Sequence, residues 1–373
     1  MSAVDIAKEL IKFDTSGPPT REEPLAAWIK DFLEDLGVDA SVQKLEPGRA
    51  NAVGKIGKGK GLVLSGHIDE VPPGDTALWR VTPPFEPRVV GDKLYGRGAC
   101  DMKGPDACIL QAVREMAKQK FKRQLSLVFT AGEDTGGWYV DRVLSDKMVS
   151  PAEAAFGVIG EPSMMGIVST HKGSGGGLVT IRGRSAHSSR PELGVNAIIN
   201  ASKFIQEIVT LQGHLNATQW PLLGPTTIKP TIIKGGFKSN VIPDLCEVTL
   251  NVRPIPGHDK IEVLREWVDE IVAKLSASDP DFHAEVTGLR CSEALDIPEK
   301  SEVIQLLMGL LGTRPEGVAY YTEAVSYTKN GIPTVICGPG DIAQAHAPDE
   351  FVSLEQLEKG TRLYKKLIEK VCL

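Results

Sequence analysis

Cysteine is scarce in this chain, with six in 373 residues and no two in a C-x-x-C spacing. That excludes a disulfide scaffold and argues against a structural zinc site or a thioredoxin-like redox motif. Cys100, Cys108, Cys246 and Cys337 lie in or beside apolar stretches and are expected to be reduced packing residues. No apolar run approaches about 18 residues, the length a membrane-spanning helix needs. The N-terminal MSAVDIAKELIKFDTSG carries scattered charges and no apolar core, so neither a signal peptide nor a membrane span is expected. The cytoplasm is the default location. A basic excess is also missing: 42 Lys and Arg stand against 48 Asp and Glu, a net charge of −6. Nucleic acid is therefore not an expected partner, because neutralising phosphates requires a basic face. The chain has no G-x-x-x-x-G-K-[ST] phosphate loop and no G-x-S-x-G, which disfavours a serine hydrolase. GKGKG (57–61) and KQKFKR (118–123) read as solvated turns or helix ends.

What the chain has is length and patterning. With 42% hydrophobic and 24% charged residues it can bury a large core, and its length suggests two domains. Over the first 170 residues, helical-period segments such as EEPLAAWIKDFLEDLG alternate with short apolar runs such as GLVLSGHID and QLSLVFTAGE. This implies an α/β domain with a mainly parallel sheet covered on both faces. Beyond the hinge-like KGSGGG (172–177) the strand signals alternate polar with apolar (LVTIRGR, CEVTLNVRPI, HAEVTG), with two helical stretches among them. That pattern implies an inserted α+β domain with an antiparallel sheet and two helices. The expected division is 1–173 and 288–373 for the larger α/β domain, and 174–287 for the insert.

The apolar runs share one property: each ends in His or acid. LVLSGHID delivers His67 and Asp69, at i and i+2 on one side of an extended chain. GRGACDMKG delivers Asp101, LSLVFTAGED delivers Glu133 and Asp134, FGVIGEP delivers Glu161, and TVICGPGDIAQAH ends at His346. Singly, each has an ordinary reading, such as a capping aspartate or a hydrogen-bonded buried histidine. Together they would converge beyond the C-terminal strand ends, where open α/β sheets place their chemistry. Uncompensated, such a cluster costs several kcal/mol per desolvated ion, and a bound dication removes that cost. Two imidazoles with several carboxylates form a mixed N/O set suited to Zn²⁺, with Co²⁺ or Mn²⁺ as substitutes.

In this order, SGHIDEVP, GRGACDMKG, FTAGEDTGG, GEPS and AHAPDEF resemble the signature segments of the dinuclear zinc M20 peptidase and deacylase family. The resemblance runs from about residue 5 to the C-terminus. It implies two zinc ions per subunit, one held by His67 and Glu161 and the other by Asp134 and His346, with Asp101 bridging. It makes Asp69 a hydrogen-bond partner of the far nitrogen of His67. Glu133 becomes the general base that takes a proton from the attacking water and returns it to the leaving amine. Members usually read D-E-E or E-E where this chain reads Gly132-Glu133-Asp134. The shorter Asp134 implies a weaker second metal site or a loop that sits closer.

In the insert, GRSAHSSRPELGVNAI resembles the segment whose histidine, here His187, reaches the neighbouring subunit's active site to stabilise the oxyanion. GGFKSNVIPDLCEVTLNVRPIPG resembles the segment supplying Asn240 and Arg253 to a substrate carboxylate, a task suited to the planar guanidinium fork. The insert then acts as a lid and dimerisation domain of a homodimer. Gly338 and Gly340 in GPG either offer backbone N–H groups to substrate or simply form a turn. YYTEAVSY, AQAHAPDEF and HKG look closest to the acetylornithine deacetylase branch, and Glu323 is expected to pair with a cationic substrate side chain. The implied substrate is a small N-acylated amino acid or short peptide, with N-acetylornithine first. Succinyl-diaminopimelate desuccinylase, aminoacylase and glutamate carboxypeptidase activities are the alternatives on the same scaffold, and a non-catalytic metal-binding relative is the alternative of another class.

Overall fold

The run GLVLSGH forms a strand, Gly61–His67, buried along its whole length in the computed structural model, which describes residues 1–373. Its neighbours are equally apolar. Leu125–Thr130 pairs with it in parallel on one side and Ala154–Pro162 on the other, and Thr334–Gly338 pairs in parallel with the latter. Antiparallel strands flank this core: Ala50–Ile56 and then Asp39–Lys44 beyond Leu125–Thr130, and Ile167–His171 beyond Thr334–Gly338. The sheet is mixed but parallel at its centre, where the strands are buried on both faces.

Helices cover both faces, and two adjacent residues of one strand show it. The Ser65 hydroxyl lies 2.9 Å from that of Tyr327, on the helix Ala324–Lys329. Gly66 points the opposite way, where a Cβ would collide with Asp106 on the helix Lys103–Met116. Side chains alternate along a strand, so these helices lie on opposite faces. Lys103–Met116 packs with Ala3–Ile11 and Leu354–Cys372. The first turn of Ala3–Ile11 is closed by a capping box between Ser2 and Asp5. No helix is long and apolar enough to cross a membrane.

The chain divides into two compact units: Met1–Ser169, Ile297–Glu316 and Thr322–Leu373 form the larger, Thr170–Asp296 and Gly317–Tyr321 the smaller. The expected cut at 287/288 falls inside the strand His283–Ser292, which stays paired with Ser174–Arg182 as far as Ser292↔Ser174. The polar tail of that strand hides its length. The short Gly317–Tyr321 segment carries no sequence signal of belonging to the insert.

The smaller unit is a four-stranded antiparallel sheet in the order Thr227–Gly235, Leu245–Arg253, Ser174–Arg182, His283–Ser292. The alternation of Leu245–Arg253 sends Val248 and Leu250 into a core with Phe204, Ile208, Leu264 and Val268. Those last four come from the helices Ala197–Leu215 and Ile261–Ser278.

Candidate metal centre

The buried strands of the larger unit deliver their polar residues to one place. His67 closes Gly61–His67, Glu161 lies near the end of Ala154–Pro162, and Glu133 and Asp134 follow Leu125–Thr130. Asp101 occupies the turn before the helix Lys103–Met116. His346 follows a single 3-10 turn, with φ +63° in the left-handed region that side chains other than glycine seldom adopt.

Asp101 lies between the two imidazoles. Its Oδ1 is 3.1 Å from His67 Nε2, and its Oδ2 is 3.3 Å from His346 Nε2. Glu161 Oε1 approaches His67 Nε2 at 3.4 Å, and Asp134 Oδ1 approaches His346 Nε2 at 3.1 Å. Each histidine thus faces one oxygen of Asp101 and has one further acid oxygen within 3.4 Å. The shorter Asp134 still reaches the histidine. Its Oδ2 is buried with no hydrogen-bond partner.

Carboxylates outnumber imidazoles here, and the electrostatics follow. Burial pushes the carboxyl pKa values of Glu133 and Glu161 well up and that of Asp134 up, with neighbouring acids adding to the effect. Burial opposes the charge on His67, yet Glu161 and Asp101 outweigh it and raise that ring well above its ordinary value. Hydrogen bonds to Asp101 and Asp134 push His346 up to about 10. Burial alone would raise Asp101, but the two histidines hold it well below the usual carboxylate range. Ligand atoms of His67, Glu133 and Glu161, and of His67, Asp101 and Asp134, fall within 4.8 Å of one another. The converging N and O donors, the excess of buried acid and the orphaned Asp134 oxygen all fit divalent cations.

Asp69 departs from expectation. The far nitrogen of His67, Nδ1, lies 2.9 Å from the main-chain oxygen of Asp69, while the carboxylate is 3.7 Å away. That carboxylate instead accepts the backbone N–H groups of Glu133, Asp134 and Thr135 at 3.0, 3.0 and 2.8 Å, and the Thr135 hydroxyl at 2.8 Å. It clamps the acid loop. Arg49 supports the loop from behind through Gly136 O and Thr135 Oγ1, and Asn51 Oδ1 accepts from Ala131 N. No motif marks Arg49 or Asn51; their only sequence signal is polarity beside a buried strand.

Two further expectations are corrected. The N–H groups of Gly338 and Gly340 are committed to Ser163 Oγ and Gln356 Oε1, so neither is offered to a substrate. Gly338 is glycine because a Cβ there would strike the Gly160 carbonyl. Glu323 is 2% exposed and accepts from Thr130 Oγ1 at 2.7 Å, with its Oε1 buried without a partner, so it is enclosed rather than presented to a substrate.

His187, Asn240 and Arg253 belong to the smaller unit. His187 is exposed, with Nδ1 2.7 Å from Ser189 Oγ, and Asn240 sits beside it, its carbonyl accepting from Ser188 N. Arg253 ends the strand Leu245–Arg253 whose other end pairs with Arg182, a few residues before His187. The strand's length separates those two ends by roughly 25 Å. One copy of the unit therefore does not bring His187 and Asn240 together with Arg253.

Residues 63–370 match the model of peptidase family M20/M25/M40, and the chain belongs to that family. It is 32% identical to an acetylornithine deacetylase of Photorhabdus laumondii over 360 residues, covering 94% of this chain and 89% of the relative. Among solved structures it resembles aminopeptidase PepT of Bacillus cereus, with a TM-score of 0.80, 20% identity, and 99% and 97% of the two chains covered. A Bacillus subtilis protein described as a dinuclear metal binding peptidase of family M20 matches with a TM-score of 0.72 at 16% identity, covering 98% and 96%. The chain is a metal-dependent amide hydrolase of this family.

Proposed function

We propose that this member of the M20/M25/M40 family is a two-zinc deacetylase acting on N-acetylornithine. The observation that carries the reading is the placement of Asp101, with one oxygen toward His67 and Glu161 and the other toward His346 and Asp134. His67 and Glu161 would hold one zinc and His346 and Asp134 the other, with Asp101 placed between the two histidines. Bound there, the pair supplies Lewis acidity, which polarises an amide carbonyl and acidifies water. The substrate assignment rests on the relative named acetylornithine deacetylase, which is matched along nearly its whole length.

The chain's own groups do the rest. Glu133, held through its N–H by Asp69, takes the proton from the attacking water and returns it to the leaving amine. Arg253 binds the substrate carboxylate through its guanidinium fork. His187 and Asn240 lie at the opposite end of the small sheet and serve the site of a second copy, where His187 stabilises the oxyanion. A homodimer is also supported by an uncovered apolar surface. Thr227–Gly235 is an edge strand exposing Ile232 and Ile233, Phe237 beyond it is 79% exposed, and Ile198, Ile199 and Val209 are exposed on the helix Ala197–Leu215. The six free cysteines support a reducing compartment, the cytoplasm.

The test is initial-rate hydrolysis by zinc- or cobalt-loaded protein of N-acetylornithine, N-acetylcitrulline, N-acetylmethionine, N-succinyl-diaminopimelate, a folate-type glutamate conjugate and a dipeptide. We expect N-acetylornithine to be preferred and Glu133→Ala to lose about 10²- to 10⁴-fold in kcat. Preference for another substrate would move the specificity and keep the mechanism. Equal rates in Glu133→Ala would remove the general base.

A further inference from the structure

Glu350 is fully buried four residues beyond His346, and both its carboxylate oxygens are engaged. Oε2 accepts from Arg97 Nη1 at 2.6 Å and Gly98 N at 3.1 Å, and Oε1 accepts from Cys100 N at 2.8 Å and Asp101 N at 2.9 Å. The segment that carries it is itself fixed: Gly96 N donates to Glu350 O, and Phe351 and Val352 pair with Tyr95 and Leu94. An ion pair with Arg97 alone would explain one of these four contacts. The other three are N–H groups of the single turn that ends at Asp101. The arrangement mirrors that of Asp69, which accepts three N–H groups of the turn carrying Glu133 and Asp134. Each loop that carries a histidine sends a carboxylate across to clamp a loop that carries acids.

We propose that Glu350 is a positioning residue that fixes the Asp101 carboxylate relative to His67 and His346, coupling the bridging acid to the loop that carries one of the histidines. The proposal rests on the two-metal reading above. Only a carboxylate satisfies the turn, because it offers acceptors at both oxygens. A glutamine has one acceptor oxygen, and its NH2 would face either Arg97 and Gly98 or the N–H groups of Cys100 and Asp101. The second repels the Asp101 N–H directly, and the first repels Gly98 at the start of the same turn. Either disturbs the chain that carries the side chain whose two oxygens lie 3.1 and 3.3 Å from the imidazoles.

The test is a cobalt titration of the metal-stripped full-length chain, read by the visible absorption of bound Co²⁺, for wild type, Glu350→Gln and Glu350→Asp. The wild type is expected to take up two cobalt ions. Glu350→Gln should weaken cobalt binding about 10- to 100-fold, change the cobalt spectrum and lower kcat by a similar factor with KM unchanged. Glu350→Asp, which keeps both oxygens on a shorter arm, should fall between the two. A folded Glu350→Gln with wild-type cobalt affinity, spectrum and kcat would overturn the proposal. Should the glutamine variant not fold, wild-type cobalt affinity in Glu350→Asp would overturn it equally. A wild type that binds no cobalt fails earlier and defeats the metal reading itself.

Discussion

The two sheets of this protein use their strands in opposite ways. In the larger unit Gly61–His67, Leu125–Thr130 and Thr334–Gly338 are buried from end to end. Such strands have nowhere along their length for an ionisable side chain, so acids and histidines collect at their ends. In the smaller unit Leu245–Arg253 alternates buried with partly exposed residues, and His283–Ser292 is exposed or half-exposed throughout. There one face packs on helices, and polar residues spread over the other face and both ends. Burial on two faces produces a centre, and burial on one produces a surface.

The contrast can be broken first at the centre. Asp69→Asn keeps the main-chain carbonyl that lies against His67 but weakens the clamp on the acid loop. We expect kcat to fall about 10- to 100-fold at saturating metal, measured by steady-state kinetics. Unchanged kcat would mean that the loop holds its shape without the clamp.

Removing the metals should expose the buried acid. Glu133, Asp134 and Glu161 are raised above their ordinary values chiefly by burial, and His67 and His346 are raised by the carboxylates around them. A group whose pKa is higher in the folded state than in the unfolded state stabilises below its unfolded pKa and loses that contribution as pH rises. Asp101 is shifted the other way, and its contribution is kept above the ordinary carboxylate range. His346 is half-exposed and screened, so the buried groups dominate. Chelated protein should therefore be less stable at pH 8 than at pH 6. Restoring zinc should flatten the difference and add about 2.7 kcal/mol per occupied site at a hundred times Kd. Thermal melts at the two pH values check both. A chelated protein more stable at pH 8 would contradict the charge assignment.

The smaller unit is sharpened by charging its surface. Ile233→Asp with Phe237→Asp should shift sedimentation to the monomer and lower activity, with folding stability altered by only about 0.5 kcal/mol. A double variant that stays dimeric would move the interface elsewhere. The last variant lies behind the centre and should leave activity untouched. Asp106 is buried with both oxygens unpartnered, and burial raises its carboxyl well above the usual range. Asp106→Ala should gain about 1–2 kcal/mol at neutral pH by denaturant unfolding, with metal content unchanged. A loss of stability would show that the acid has a partner.

Much of this was legible because burial writes a plain pattern. An uninterrupted apolar run that stops at His or acid, as in LVLSGHID, marks a strand buried on both faces and a charge placed at its end. Strict alternation, as in CEVTLNVR, marks the half-covered sheet. What stayed hidden depends on which atom answers which. Period-two spacing put Asp69 beside His67, but it could not say that the main chain, rather than the carboxylate, meets the ring. The glycines of GPG show a tight path and not where their N–H groups point. Glu323 looks like any loop acid until folding encloses it under Thr130. Arg49, Asn51 and Glu350 act on loops dozens to hundreds of residues away, a separation that no local pattern encodes.

Anomalous scattering at the zinc edge, from crystals of zinc-loaded protein, tests the central claim most directly. We expect two peaks on either side of Asp101, one toward His67 and Glu161 and the other toward His346 and Asp134. A single peak, or none in this cluster, would contradict the two-metal centre.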